Sequence, residues 1–391
     1  METNKKMTSR ERVLTALNHK EPDRVPIDLG STISTSIVKE AYDDLRNYLE
    51  LAPSDGQLIC PMQRAAKIDD DIFDYFDFDV RGVWPGSPGD AIYYNKNKYK
   101  DVWGITRVKP ESSYYFDQRE FPLAGQITKN DIINYNYPDP DHPNITANLK
   151  KQVDNIRNNT DCAIVLNLPA CFVHTSQYLR GFEDWYVDCA INVQLIELLF
   201  DSVLGINMRI AENALSVIGK EVDVIRFSDD LGTQSSLQVS PDFFKRSIKP
   251  RFKKYVNLIH NMKSPQAKVK IHCCGSIEPI LEDLIEIGIE VINPVQISAA
   301  RMEPGSLKEK YGDRLTFWGG IDTQNVLARE TPEEVKKEVE RIINILGQNG
   351  GFVLTSVHNI QPGVTPENIV AMFEHAKIYS QDFYSKRKLK I

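Results

Sequence analysis

The feature that most limits what this chain can fold into is a repeated alternation. Short apolar runs recur eight times: 25–29, 78–84, 162–168, 222–228, 268–274, 290–295, 315–319 and 352–357. Between the later ones lie amphipathic stretches with strong helix starts. Ser240-Pro241, Thr331-Pro332 and Thr365-Pro366 each set an N-cap residue before a first-turn proline, whose missing N–H costs nothing there. After Ser276, the residues Ile277, Ile280, Leu281, Leu284 and Ile285 share one helical face and Gly288 ends it. Strand–helix alternation of this kind builds a parallel sheet covered by helices, and eight strands favour a closed (β/α)8 barrel of the TIM type over an open doubly wound sheet. The 391 residues are expected to form one such domain. Thr8 and Glu11 suit a capping box opening an N-terminal helical extension, and a Tyr- and Lys-rich stretch at 86–127 reads as a β-hairpin-like insertion after the second strand.

Several classes are excluded. No apolar run approaches the ~20 residues a membrane helix needs, and the N-terminus lacks the apolar core of a signal peptide. Six cysteines, Cys60, Cys162, Cys171, Cys189, Cys273 and Cys274, are scattered without a disulfide-like spacing. A reducing cytoplasm is the expected setting. The net charge of −7 and the absence of a large basic block argue against nucleic acid as a partner.

Side chains alternate sides along a strand, and in a barrel the inward residues at the C-terminal ends of strands form the site. In 268–274, Lys268, Lys270, His272 and Cys274 fall on one face; Val269, Ile271 and Cys273 fall on the other. The apolar set belongs under the helices, so His272 and Cys274 are assigned to the barrel mouth. In the last run, Phe352, Leu354, Ser356 and His358 share a face, and His358 lies at the C-terminal end. Imidazole and thiolate are zinc ligands, and three protein ligands with one open position is the usual catalytic arrangement. The competing reading is a buried thiol beside hydrogen-bonded histidines. Among residues after other strands, Asp230 shares the parity of Ser228 and is the stronger of Asp229 and Asp230 as a mouth residue. A fourth ligand, a general acid and a histidine-orienting carboxylate are all open to it. Gln234 and Gln296 are candidate substrate contacts, and Asp322 a candidate catalytic acid, each balanced against loop scaffolding. Trp84 and Trp103 are candidates to line a pocket for a flat ligand; Trp318 reads as core first. His174 reads as an ordinary satisfied polar residue. No basic pocket is legible among the mouth-facing positions.

Four stretches, "SRERVLTALNHKEPDRVPIDLG", "FSDDLGTQSSLQVSPDFFKRSIKPRFKK", "IHCCGSIEPILEDLIEIGIEVINPVQ" and "GGFVLTSVHNIQPGVTPENIVAMFEHAK", resemble the uroporphyrinogen decarboxylase superfamily. The resemblance implies a (β/α)8 barrel and two branches of activity: porphyrinogen decarboxylases, and zinc-dependent methyltransferases that work with corrinoid proteins or coenzyme M. The decarboxylases carry an arginine-rich Met-Arg-Gln-Ala-Gly-Arg motif after the first strand; here that stretch reads "PIDLGSTISTS", without arginine. The methyltransferases carry His-x-Cys and a distant cysteine as zinc ligands. His272 and Cys274 match the first two, and His358 stands at the third place. Tyr178 resembles a decarboxylase tyrosine, one residue out of step. The expectation is a zinc-dependent methyltransferase moving a methyl group between a small methyl ether, methylamine or thiol and a corrinoid (cobalamin) carried by a partner protein, with a homodimer left open. The alternatives are a metal-free decarboxylase and a non-catalytic corrinoid- or small-molecule-binding barrel.

Overall fold

A computed structural model describes residues 6–388. Seven parallel strands follow one another in chain order around a curved sheet: Val80–Val83, Ala163–Ala170, Val224–Ser228, Lys268–His272, Val291–Asn293, Thr316–Trp318 and Phe352–Val353. The expected first run, 25–29, closes the ring without forming a regular strand. Asp28 N–H donates to Leu354 O (3.0 Å), Leu354 N–H to Pro26 O (2.9 Å), and Asp79 N–H to Ile27 O (3.1 Å). Pro26 has no N–H to offer a ladder, which keeps this strand to a single bridge.

Inward positions fill the floor of the ring. Val80, Ala163, Val165, Val224, Val291, Trp318 and Val353 form one buried cluster with Val13 and Leu17, from the N-terminal helix Ser9–Leu17 that plugs the bottom. Thr8 and Glu11 make the expected capping box at its start. Asp79 locks the plug in place: its fully buried carboxylate accepts from Arg12 (2.6 Å), Arg24 (2.6 Å) and the Ile27 N–H (2.8 Å). The outward positions pack under the helices in a second, larger core.

The insertion is larger than a hairpin. Strands Ile92–Asn95, Lys98–Lys100, Thr106–Val108 and Asp117–Glu120 make a four-stranded antiparallel meander. Its first turn is an Asx turn, with Asn97 N–H on Asn95 Oδ1 at 2.8 Å. Tyr99 is buried against Phe116, their rings 5.1 Å apart. The short antiparallel pair Leu58–Cys60 and Ala65–Ala66 was not legible in the sequence. Both additions stand over the C-terminal ends of the barrel strands. Among the described residues, no helix is long and apolar enough to cross a membrane, and all six cysteines are free thiols.

Candidate metal centre

His272 is the last residue of its strand and points into the barrel, as parity requires; Cys274 follows on the same side. Cys273 points outward into the core, where its Sγ accepts from Leu231 N–H at 3.3 Å. His358 reaches the same place by a different route from the one parity suggests. Val353 is the inward residue of the last strand, so strict alternation would turn His358 outward. The chain bends at Val357 and His358, after the regular ladder ends, and the bend swings the imidazole in. Ligand atoms of His272, Cys274 and His358 all lie within 4.8 Å of one another. Cys274 Sγ and His272 Nε2 are 3.4 Å apart, close to the roughly 3.3–3.8 Å that two nitrogen or sulfur ligands span across a tetrahedral zinc.

The surroundings set the tautomers. Asn293 Nδ2 donates to Trp318 O (2.8 Å), which turns Asn293 Oδ1 toward His272 Nδ1 at 2.7 Å. His272 therefore carries its proton on Nδ1 and presents the Nε2 lone pair to the cavity. His358 Nδ1 contacts Asn359 Oδ1 in the same way. Asn359 Oδ1 is itself held by the Tyr115 hydroxyl at 2.6 Å. Burial pushes His272 down to about 3 and lowers His358, so both rings stay neutral. Burial, with Asp230 nearby, raises the Cys274 thiol; a bound cation would displace that proton. Two neutral imidazoles with inward lone pairs and one thiol are a donor set that fits zinc.

The paired aspartates divide their work. Asp229 faces away and accepts the N–H groups of Phe172, Val173 and His174 (2.8–2.9 Å), anchoring the start of the helix Val173–Arg180. Asp230 faces in, as expected. Its Oδ1 accepts from Cys274 N–H at 2.8 Å and lies 3.9 Å from His272 Nε2, while Oδ2 is 3.3 Å from His174 Nε2. Burial alone would raise the Asp230 carboxyl, but His174 overrides it and holds the group well below the usual carboxylate range. The same contact outweighs burial at His174 and raises its imidazole. His174 is thus a member of the site, its protonated form favoured by Asp230, rather than an isolated polar residue. Its role follows from Asp229 pinning the helix, a contact between segments that no local pattern announces.

His174, Asp230, His272 and His358 line a cavity of about 470 Å³ together with Trp84, Trp103, Tyr178, Arg107 and Arg226; Cys274 is not part of the lining and sits against His272. Trp103 and Arg107 come from the insertion, which roofs the site. The Tyr178 ring stacks on His174 (5.6 Å) and under the Arg107 guanidinium (5.2 Å). Burial raises its hydroxyl to about 12. Trp318 is floor, its indole Nε1–H on Asp28 Oδ2 at 2.9 Å. The remaining candidates are not in the lining. Gln296 Oε1 accepts from Gly275 N–H (2.7 Å) and its Nε2 donates to Gln234 Oε1 (3.0 Å), so the two glutamines brace the turn after Cys274. Asp322 Oδ1 is taken by the N–H groups of Gln324 and Asn325, both at 2.6 Å, inside its own loop. The expected lack of cationic groups is corrected: Arg107 and Arg226 both border the cavity. Arg226 had a legible signal, since it shares the inward parity of Ser228 and Asp230.

Comparison with known proteins agrees with this architecture. Residues 144–379 match the family described as uroporphyrinogen decarboxylase (URO-D). Among similar curated proteins, a uroporphyrinogen decarboxylase of Methylococcus capsulatus is 32% identical over 80 residues, 20% of this chain and 22% of that protein. The methylcobamide:CoM methyltransferase MtaA of Methanosarcina barkeri is 25% identical over 175 residues, 44% of this chain and 47% of that protein. The chain thus spans less than half the length of these relatives. A solved methyltransferase from Methanosarcina mazei superposes with a TM-score of 0.65 at 17% identity, covering 97% of this chain and 99% of that one, a likeness of fold. With a closed eight-segment barrel, a site at its C-terminal rim and a family match over more than half its length, the chain belongs to the uroporphyrinogen decarboxylase family.

Proposed function

We propose that this chain is a zinc-dependent methyltransferase, moving a methyl group between a small methylated molecule and a corrinoid carried by a separate protein. The observation that carries this reading is the convergence of His272, Cys274 and His358, with lone pairs turned inward by Asn293 and Asn359. The partial likeness to a methylcobamide:CoM methyltransferase supports the same branch. When bound by these three residues, zinc supplies Lewis acidity toward a heteroatom of the small molecule. His174, charged against Asp230, offers a proton at Nε2 to that heteroatom as its bond to the methyl carbon breaks. Asp230 keeps the proton on His174 until then and, through the Cys274 N–H, holds the sulfur-bearing turn in place. Tyr178 and Trp84 supply aromatic walls, and the roof from the insertion limits water. Gln234 and Gln296 act by fixing the Gly275 turn, and Asp322 by shaping the loop after its strand. The open cavity mouth is where the corrinoid protein would present its cofactor.

A metal-free decarboxylase is the second reading, favoured by the presence of Arg107 and Arg226 around the cavity. Metal analysis divides the two. The methyltransferase reading expects about one zinc per chain, lost in His272→Ala and Cys274→Ala, and methyl transfer from a methyl ether, methylamine or methyl thioether to free reduced cobalamin, seen as its absorbance change. A fully active, zinc-free protein that decarboxylates a porphyrinogen would replace it with the second.

A further inference from the structure

One charged group on the cavity floor has no part in the chemistry above. Arg226 is 5% exposed and lines the cavity from the Val224–Ser228 strand. Its guanidinium makes a single, long hydrogen bond, to Ser34 Oγ at 3.3 Å. Its Nε is buried with no acceptor, and no carboxylate among the described residues lies within ion-pair distance. Lys270, across the strand pair, lies over the Trp318 ring at 3.6 Å with Asp28 acting on it, and the other neighbouring charges are matched. Arg107 is paired with Asp101 at 2.8 Å, His174 with Asp230, and Asp229 with three backbone N–H groups. Asp230 and Asp229 act on Arg226 only from beyond contact, and a buried cation without a contacting counter-charge is disfavoured unless something else supplies one.

The strand register says where a ligand on Arg226 would lie. Arg226 is opposite Lys270, and Ser228 is opposite His272. Arg226 therefore sits two residues deeper than His272, about 7 Å along the strand at ~3.3 Å per residue. A small molecule anchored on Arg226 by one end and lying along the barrel axis would bring its middle level with His272, Cys274 and His358. Its far end would point to the mouth. The planar guanidinium fork matches the two oxygens of a carboxylate, and its single unmatched charge matches a monoanion.

We propose that Arg226 is the anchoring subsite for a carboxylate, so that the small molecule bound in this cavity is an anionic one with its methylated heteroatom about one short chain-length from the carboxylate. That the heteroatom is methylated rests on the methyltransferase reading; the carboxylate subsite does not. The test is equilibrium binding of 3-methoxypropanoate and of its neutral counterpart 3-methoxypropanamide, followed by NMR titration. Wild-type protein is expected to bind the carboxylate at least about tenfold more tightly, the scale of a charged hydrogen bond. Arg226→Gln should abolish that preference, and Arg226→Lys should keep part of it. His272→Ala, which removes a metal ligand, should leave the preference intact. Equal affinity for the two probes in wild-type protein, or an unchanged preference in Arg226→Gln, overturns the proposal. The wild-type comparison needs no variant to fold. Carboxylate preference in a protein that takes up no zinc and transfers no methyl group would sink the methyltransferase reading alone; zinc uptake and transfer without that preference would sink the subsite alone.

Discussion

Replacing Asn293 by alanine removes no metal ligand, yet it should weaken metal binding measurably. Asn293 Oδ1 is the acceptor for His272 Nδ1–H at 2.7 Å, and its own orientation is fixed by the bond to Trp318 O. In Asn293→Ala that fully buried acceptor is gone from behind His272. If the proton stays on Nδ1, a buried donor is left unmade at a cost of about 1–3 kcal/mol. If it moves to Nε2, the lone pair facing Cys274 is blocked. Both effects fall on the metal-bound state, so zinc affinity should drop by about 5- to 150-fold at 1.4 kcal/mol per factor of ten. Partners of this kind behind metal-ligating histidines are worth roughly 10–100-fold. The assay is competition for zinc against a chromogenic chelator, with His272→Ala as the reference for loss of a ligand and far-ultraviolet circular dichroism as the check on folding. A folded Asn293→Ala protein whose zinc affinity stays within a factor of two of wild type would refute the tautomer argument.

Asp79→Ala should unfold at markedly lower urea, because it removes the fully buried carboxylate that Arg12 and Arg24 share and leaves them only Asp23 and Asp77; removing one partner of a buried pair costs up to about 3–5 kcal/mol. Gly232→Ala should destabilise by about 1–3 kcal/mol through overpacking and reduce bound zinc, since a Cβ there would lie 2.7 Å from Cys274 O and 2.8 Å from Ser276 N; unchanged stability and zinc content would contradict this. The His174–Asp230 pair makes a pH prediction for the metal-free protein. His174 is raised above its unfolded value, so its contribution is full below that value, near pH 6.5, and is lost as pH rises through the folded pKa. Asp230 is depressed, so its contribution is present above its unfolded value, near pH 3.8, and is lost as pH falls. The stability gap between wild type and His174→Gln, from urea unfolding, should therefore be widest between about pH 4 and 6.5 and shrink above it. A gap that grows toward pH 9 would contradict the charged pair.

The sequence carried the architecture because strand parity and helix starts are local. Seven of the eight runs became strands of the ring, and three proline-led helix starts appeared where Ser240, Thr331 and Thr365 indicated. Parity also separated Asp229 from Asp230 and Cys273 from Cys274. It fails at His358, where the chain leaves the ladder and bends, and the histidine arrives at the site despite its parity. What parity cannot supply is contact between segments. Arg107 descends from an insertion 165 positions before His272 in the chain, Gln234 and Gln296 hold each other, and the His174 imidazole is raised chiefly because Asp230 is folded against it. Arg226 was readable by the same parity as Asp230, as a charge in an otherwise apolar strand. Asp322 shows the converse: a carboxylate at the end of a barrel strand whose oxygens go to its own loop.

Zinc K-edge X-ray absorption on the zinc-loaded protein tests the centre itself. The expected shell is one sulfur at about 2.3 Å and two imidazole nitrogens at about 2.0–2.1 Å, with a further light atom completing four-coordination. A shell without sulfur, or a spectrum unchanged in Cys274→Ala and His358→Ala, would mean that these three side chains do not hold the metal.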